Sequence, residues 1–266
     1  MEAAAPIEAI FVAADGAEQD SVARVASAAA RRGIRVFELA PGVMERVADT
    51  VTPQPVCAIV GASDPSIEAI IGANGDPGDA TGTGQRTGAG GDDFSGDGED
   101  QPSSGRPVAG RVVLVCIDVR DPGNLGAIVR SAGASGAAAV VCCGSSVDPH
   151  NPKAVRASAG VIFRLPIVRS GDTEGVLAEL RRGDFRLIGT RPVGGVDYLE
   201  ADLDGDIAFL VGNEAAGLSG DVVAGLDATV TIPMAGAESL NVAMTATVLA
   251  FEAARRRRVR PLTRSG

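Results

Sequence analysis

The sequence predicts an α/β protein built on a parallel sheet, and three observations carry that reading. Short apolar runs recur along residues 107–266. They are apolar throughout rather than alternating, the pattern of strands covered on both faces. Segments of helical composition separate them, which is the βα alternation of a sheet with helices on both sides.

The elements follow in chain order. Ile7–Ala13 is an apolar strand, and Gln19–Arg31 is an Ala-rich helix stopped by Gly33. Ile34–Leu39 is a second strand, Pro41–Ala48 a helix with proline in its first turn, and Val56–Gly61 a third strand. This region, residues 1–71, is small for an independent domain. Residues 72–106 then read as a flexible acidic linker: 11 of these 35 residues are glycine and Phe94 is the one large apolar side chain. Such a linker is expected to let the flanking regions move independently. In residues 107–266 the predicted strands are Val112–Ile117, Ala138–Cys142, Arg164–Val168, Arg186–Thr190, Ile207–Val211 and Ala228–Ile232. The predicted helices there are Leu125–Ser135, Thr173–Arg182 and Ser239–Arg257.

Composition narrows the function. With 45% apolar and 22% charged residues in 266, the chain has the make-up of a soluble globular protein. No apolar run approaches the roughly 18 residues of a membrane span, and Met1–Pro6 lacks the basic start of a secretory signal. Aromatic residues make up 3% with no Trp, too few for a protein that holds single strands mainly by stacking. Cys57, Cys116, Cys142 and Cys143 form no C-x-x-C pair, and the single histidine, His150, has no cysteine at finger spacing, so no metal site is expected. Thiols inside apolar strands pack as small hydrophobes, which fits a reducing cytoplasm. The net charge is −10, yet the stretch from residue 252 to the end carries +5 on its own. Its Arg255–Arg258 run has two readings: contact with RNA phosphates, or complement to a helix C-terminus.

Three loops at predicted strand ends carry the candidate chemistry. Asp118–Arg130 follows a strand and opens a helix, with Asp121-Pro122-Gly123-Asn124 as turn chemistry and Asn124 a possible cap. A capped helix with a solvated Arg130 also accounts for this spacing. Leu210–Leu218 runs from an apolar strand into Gly212-Asn213-Glu214, where glycine permits close backbone approach to a ligand. It lacks both the dinucleotide fingerprint and the P-loop lysine. Ile232–Ala243 leads into a helix, with Ser239 placed as N-cap and Asn241 in the first turn.

Taken in order, D-x-x-D-P-x-N-x-G-x-x-x-R at 118–130, G-N-E-x-x-G at 212–217 and I-P-M-x-G-x-x-S-L-N-V at 232–242 resemble the SpoU (TrmH) family of RNA ribose methyltransferases, within the SPOUT superfamily. Asn151–Gly160 is similar as well, so the resemblance covers nearly all of 107–258. It implies a methyltransferase domain whose C-terminal segment forms a deep trefoil knot, an exception to unknotted topology. It further implies a homodimer that binds S-adenosylmethionine bent in the knot, with no metal. By motif match the cofactor pocket is lined by Gly212, Ile232 and Leu240, joined by Gly189 and Thr190 at a strand end. Asn124, Arg130, Glu214, Ser239 and Asn241 match catalytic and substrate-side positions. An arginine holds its proton past about pH 12, so Arg130 is expected to orient phosphate or stabilise developing negative charge. Gly33-Ile34-Arg35-Val36 and Thr52-Pro53-Gln54-Pro55-Val56 resemble the family's L30e-like RNA-recognition domain, without the basic helix, strand and second helix that usually precede them. The implied reaction is methyl transfer to a ribose 2′-hydroxyl of RNA, ribosomal RNA before tRNA. The alternatives are a knotted RNA binder without that activity, a tRNA 2′-O-methyltransferase, and, as the bland reading of the same strand ends, a generic nucleotide-dependent α/β enzyme.

Overall fold

In the computed structural model the described residues are 6–14, 20–48, 52–62, 64–72 and 110–259. The linker expected at 72–106 thus lies, except for Gly72, outside them.

The first region forms β1 (Ile7–Ala13), α1 (Asp20–Arg31), β2 (Arg35–Leu39), α2 (Met44–Val47) and β3 (Val56–Val60). Its sheet runs β2-β1-β3, parallel on the β2 side and antiparallel on the β3 side. Ile10 and Val12 of β1 pack under α1 through Val22 and Ala29, which makes a core of only a few side chains. Phe11 and Phe37 are cross-strand partners whose rings stack 5.4 Å apart.

The second region supplies the main sheet. Its elements are β4 (Val112–Ile117), α4 (Pro122–Ser135), β5 (Ala139–Cys143), α5 (Pro152–Ala157), β6 (Ile167–Ser170), α6 (Thr173–Arg182), β7 (Arg186–Thr190), β8 (Val196–Asp197), β9 (Ile207–Val211), α7 (Gly220–Ala224), β10 (Ala228–Thr231) and α8 (Val242–Val259). Seven strands pair in the order β6-β5-β4-β9-β7-β10-β8, and every pairing is parallel. Alternate β4 residues feed opposite layers. Leu114 and Cys116 face Leu125, Ile128, Ala246 and Leu249 of α4 and α8. Val113 and Val115 face Val176, Leu177 and Leu180 of α6. The predicted parallel sheet with two covered faces is therefore present.

The strand order reverses beside β4, where β9 inserts next to it. That reversal opens the crevice in which ligands of such sheets bind. Helix α4 springs from this point. Asp121 caps it by accepting the Asn124 N–H at 2.7 Å, and Pro122 fills its first position. Asn124 is therefore inside the helix rather than its cap. Gly126 lets α5 approach closely, because a Cβ there would lie 2.4 Å from the Ala154 carbonyl oxygen.

Some elements depart from expectation. Strand β6 begins at Ile167 instead of Arg164, because Val161–Phe163 forms a 3-10 turn that absorbs the preceding residues. Helix α8 begins at Val242, and Ser239 is not its cap. Asn241 performs that role, its Oδ1 accepting the N–H groups of Ala243 and Met244 at 2.9 and 3.3 Å.

A helix not expected from the sequence, α3 (Ile67–Gly72), ends the first region. Its Ile67 and Ile70 belong to the core on the α6 side of the main sheet. Arg111 fastens its C-terminus. One guanidinium nitrogen donates to the carbonyls of Ile70 and Ile71, both at 2.8 Å, while the others grip Asp206 at 2.6 and 2.8 Å. The guanidinium also lies over the Phe185 ring, 4.6 Å from its centre. At the other end of α3, Arg169 bonds Asp64 through two nitrogens at 2.5 and 3.0 Å. The end of the first region is thus tied to the second.

The arginine run at the end of α8 is also committed. Arg255 and Arg256 both bond Glu252. Arg256 further donates to the carbonyls of Tyr198, Leu199 and Ala201, and Arg257 to those of Gly110 and Gly205. Much of the run therefore clamps backbone carbonyls, a role neither earlier reading contained.

Among the described residues no helix is long and apolar enough to cross a membrane. All four cysteines are free. Burial pushes the Cys142 and Cys143 thiols up to about 12, which leaves them protonated packing groups.

Two outcomes test these fastenings. Arg111→Ala should lower stability in urea by about 2–3 kcal/mol, since it strands two helix-end carbonyls and leaves Asp206 only the backbone N–H of residue 111, and Arg111→Lys should recover only part because it lacks the planar fork. An unchanged midpoint for Arg111→Ala would refute the fastening. Hydrogen bonds from Arg255 hold the Glu252 carboxyl at about 2, below its ordinary 4.5. Its stabilisation is complete above the ordinary value and is lost as pH falls from there toward 2. The stability gap between wild type and Glu252→Gln should therefore close across that acid window, and a gap that stays constant would remove Glu252 from the acid response.

Candidate active site

Three loops meet at the carboxyl ends of β4, β9 and β10. The first leaves β4 at Asp118, which adopts a left-handed backbone with φ of 56°. Its Oδ1 accepts the Ser145 amide and hydroxyl, both at 2.7 Å, and the amide bond is the main reason its carboxyl lies below the usual range. The second loop leaves β9 at Gly212. Residues 213 and 217 exchange backbone hydrogen bonds at 3.1 and 2.8 Å, folding the loop on itself. A Cβ on Gly212 would lie 2.2 Å from the Gly217 carbonyl carbon. Close approach does require glycine here, and the partner that demands it is the loop's own backbone.

Asn213 and Glu214 join these loops. Asn213 Nδ2 donates to the Asp118 carbonyl at 2.9 Å, while its Oδ1 accepts the amides of Ala215 and Ala216. The Glu214 carboxylate accepts the Asp121 amide at 3.0 Å, the Arg120 amide at 3.3 Å and Asn124 Nδ2 at 3.1 Å. Burial works to raise the Glu214 carboxyl, but the bonds from Asn124 and from these amides outweigh it and hold it below its ordinary value. Glu214 is therefore an anion at neutral pH, suited to positioning and poor at taking a proton.

The third loop joins through Asn241, whose Nδ2 donates to Asn124 Oδ1 at 3.0 Å. Asn124 thus stands between Glu214 and Asn241, giving to one and receiving from the other. Residues 90 and 117 positions away in sequence converge on one amide. A hydroxyl bond, Ser131 to Thr247 at 2.6 Å, holds α4 against α8 behind this point.

Of the five predicted catalytic residues, the structure joins Asn124, Glu214 and Asn241. Arg130 and Ser239 are exposed and make no side-chain hydrogen bond or ion pair with other described residues. Asn213 lies inside the G-N-E-x-x-G motif without being among the predicted site residues, yet its two-sided hydrogen bonding sets the loop geometry. Its position between Gly212 and Glu214 was the available signal.

The predicted cofactor residues occupy neighbouring strand ends. Gly189 and Thr190 end β7, Gly212 follows β9 and Ile232 follows β10, and these strands are adjacent as β9-β7-β10. Thr190 Oγ1 donates to the Leu210 carbonyl at 3.2 Å, tying β7 to β9 at this rim. Leu240 is half-buried just before α8. Residues 233–240 form no backbone hydrogen bond with other described residues, so this segment presents free donors and acceptors beside those strand ends. That chemistry fits a ligand such as an adenosine moiety held through backbone groups. No group of His, Cys, Asp and Glu among the described residues could hold a metal ion.

Comparison with known proteins places the chain in a family. The family model described as the SpoU rRNA Methylase family matches residues 111–251. A second, described as RNA 2′-O ribose methyltransferase substrate binding, matches residues 1–66. The chain is 43% identical over 142 residues to the 23S rRNA (uridine(2479)-2′-O)-methyltransferase of Streptomyces viridochromogenes, covering 51% of this chain and 50% of that protein. It is 37% identical over 142 residues to the 23S rRNA (guanosine(2553)-2′-O)-methyltransferase of Bacillus subtilis, covering 53% of this chain and 57% of that one. These matches span about half the length of the curated relatives. The crystal structure of an AdoMet-bound rRNA methyltransferase from Sinorhizobium meliloti superposes with a TM-score of 0.71 at 28% identity, covering 95% of this chain and 81% of that one. With three loops joined at the strand reversal and the family model spanning more than half its residues, the chain belongs to the SpoU rRNA Methylase family.

Proposed function

We propose that this chain transfers a methyl group from S-adenosylmethionine to a ribose 2′-hydroxyl of RNA, with ribosomal RNA as substrate ahead of tRNA. The observation that carries the reading is the Glu214–Asn124–Asn241 network, which unites all three motif loops in the crevice of the sheet. The relatives named above for 23S rRNA 2′-O-methylation support the substrate class. When bound, S-adenosylmethionine supplies a methyl carbon already activated by its sulfonium.

The residues then have separable tasks. Gly189, Thr190, Gly212, Ile232 and Leu240 line the cofactor side, largely through backbone groups. Glu214 fixes the Asn124 amide, and Asn241 fixes its carbonyl, so Asn124 faces the ribose in one orientation. Arg130 and Ser239, left outside that network, meet the RNA. Arg130 holds phosphate and steadies negative charge developing as the 2′-oxygen loses its proton. The finer architecture belongs to the same proposal: residues 1–71 as an L30e-like substrate-binding unit, a trefoil knot in 107–266, a homodimer and a cytoplasmic location. Met244 and Phe251, exposed on α8, support a covered face there in the dimer.

The deciding experiment is transfer of labelled methyl to unmodified rRNA and tRNA, followed by alkali, which does not cleave beside a 2′-O-methylated ribose. Label in alkali-resistant dinucleotides from rRNA is expected. No label and no S-adenosylmethionine binding would leave an RNA binder without this activity. Arg130→Ala should lower turnover by about 10²–10³-fold while S-adenosylmethionine binding persists, and turnover equal to wild type would free Arg130 of its role. Because Glu214 is already ionised, the pH–rate profile should show no acid limb from it near neutrality. A limb there that Glu214→Gln abolishes would instead make Glu214 the base.

A further inference from the structure

A second recess lies beyond β4, on the side away from the cofactor strands. It is a cleft of about 500 Å³ at the carboxyl ends of β5 and β6, closed on one side by Asp64–Ser66 from the first region. Its size is that of small-molecule sites. Cys142, Val147 and Pro149 give it apolar wall, and Asp148 and Arg169 give it polar edge.

The cleft shares a wall with the candidate active site. Ser146, which lines it, accepts the Val119 amide through its hydroxyl at 3.1 Å, and the Val147 amide donates to the Val119 carbonyl at 2.9 Å. The neighbouring Ser145 holds Asp118 on the catalytic side. One loop, 144–147, therefore runs between the cleft and the segment that leads into Asn124, which puts the cleft on the route of an RNA strand beyond the methylated nucleotide.

Its electrostatics select what enters. Arg169 is already engaged, by Asp64 at 2.5 Å and Asp148 at 3.4 Å. The carboxylates Asp64 and Asp148 both line the cleft, which makes it inhospitable to phosphate. Asp148 Oδ1 takes the His150 amide at 2.9 Å as well as Arg169, while Oδ2 has no partner among the described residues. A free carboxylate oxygen beside apolar wall suits a planar base that donates from an exocyclic amine. Unstacked bases in single-stranded RNA are read in this way.

We propose that this cleft is a specificity subsite for an amino-bearing nucleobase flanking the methylated nucleotide, with Asp148 as the residue that reads it. The proposal rests on the methyltransferase reading for the identity of its ligand as RNA. Its test uses short oligoribonucleotides as probes and the full chain as the protein, so it runs independently of catalysis. Fluorescence competition should rank oligo(C) and oligo(A), whose bases carry exocyclic amines, above oligo(U), by about 5–100-fold. Asp148→Asn should flatten that ranking. Equal binding of all three by wild type, or no binding of any, overturns the subsite, as does a ranking that Asp148→Asn leaves intact. S-adenosylmethionine binding, measured in parallel by calorimetry, separates the two claims. Its absence alongside a retained ranking would sink the methyltransferase reading and leave the subsite standing.

Discussion

The arrangement depends above all on the hydrogen bonds that Asn213 and Glu214 make across to the loop after β4. Strand ends in a parallel sheet are a rim of separate loops, each able to drift without the others. Here two consecutive side chains from the loop after β9 take hold of the backbone at Asp118, Arg120 and Asp121. Those backbone groups immediately precede α4, so the grip sets where the helix begins and what Asn124 can reach. An ionised carboxylate is the right acceptor for two amides and a side-chain amide together, because charge-assisted bonds are shorter and stronger than neutral ones. Without it, three converging donors would face no common partner in a half-exposed crevice.

The strands were legible because covered parallel strands leave a simple mark. Val112–Ile117, Arg186–Thr190 and Ile207–Val211 match their predicted bounds residue for residue, and so does the helix Thr173–Arg182. What escaped was short. Helices α5 and α7 span six and five residues, and β8 two, so none contains enough turns or alternations to show a period. Helix α3 was hidden differently: its apolar residues sit at the border of a glycine-rich stretch, and nothing local reveals that they complete a core built more than 40 residues later.

The candidate site divides in the same way. Motif order pointed to Asn124, Glu214 and Asn241, but the contacts joining them depend on loops far apart in sequence. Only the strand order brings these loops to one place. The arginines of α8 show what composition leaves out. A run of like charges suggests a surface for nucleic acid, yet Arg256 and Arg257 give several of their donors to carbonyls at the ends of neighbouring segments. Composition reports charge, whereas geometry decides whether a charge is still free to meet a partner.

The fastening of α3 by Arg111 has a consequence for how this chain tolerates change. Two positions 40 residues apart are held within one hydrogen bond of each other, so the intervening sequence spans almost no distance. The entropy of closing such a loop grows only with the logarithm of its length, by about 0.6 kcal/mol for each doubling. By that scaling a change of length between these anchors adds little to the entropy of closing them. The glycine-rich stretch between these anchors is thus a place where a foreign segment could be grafted at little cost in closure entropy.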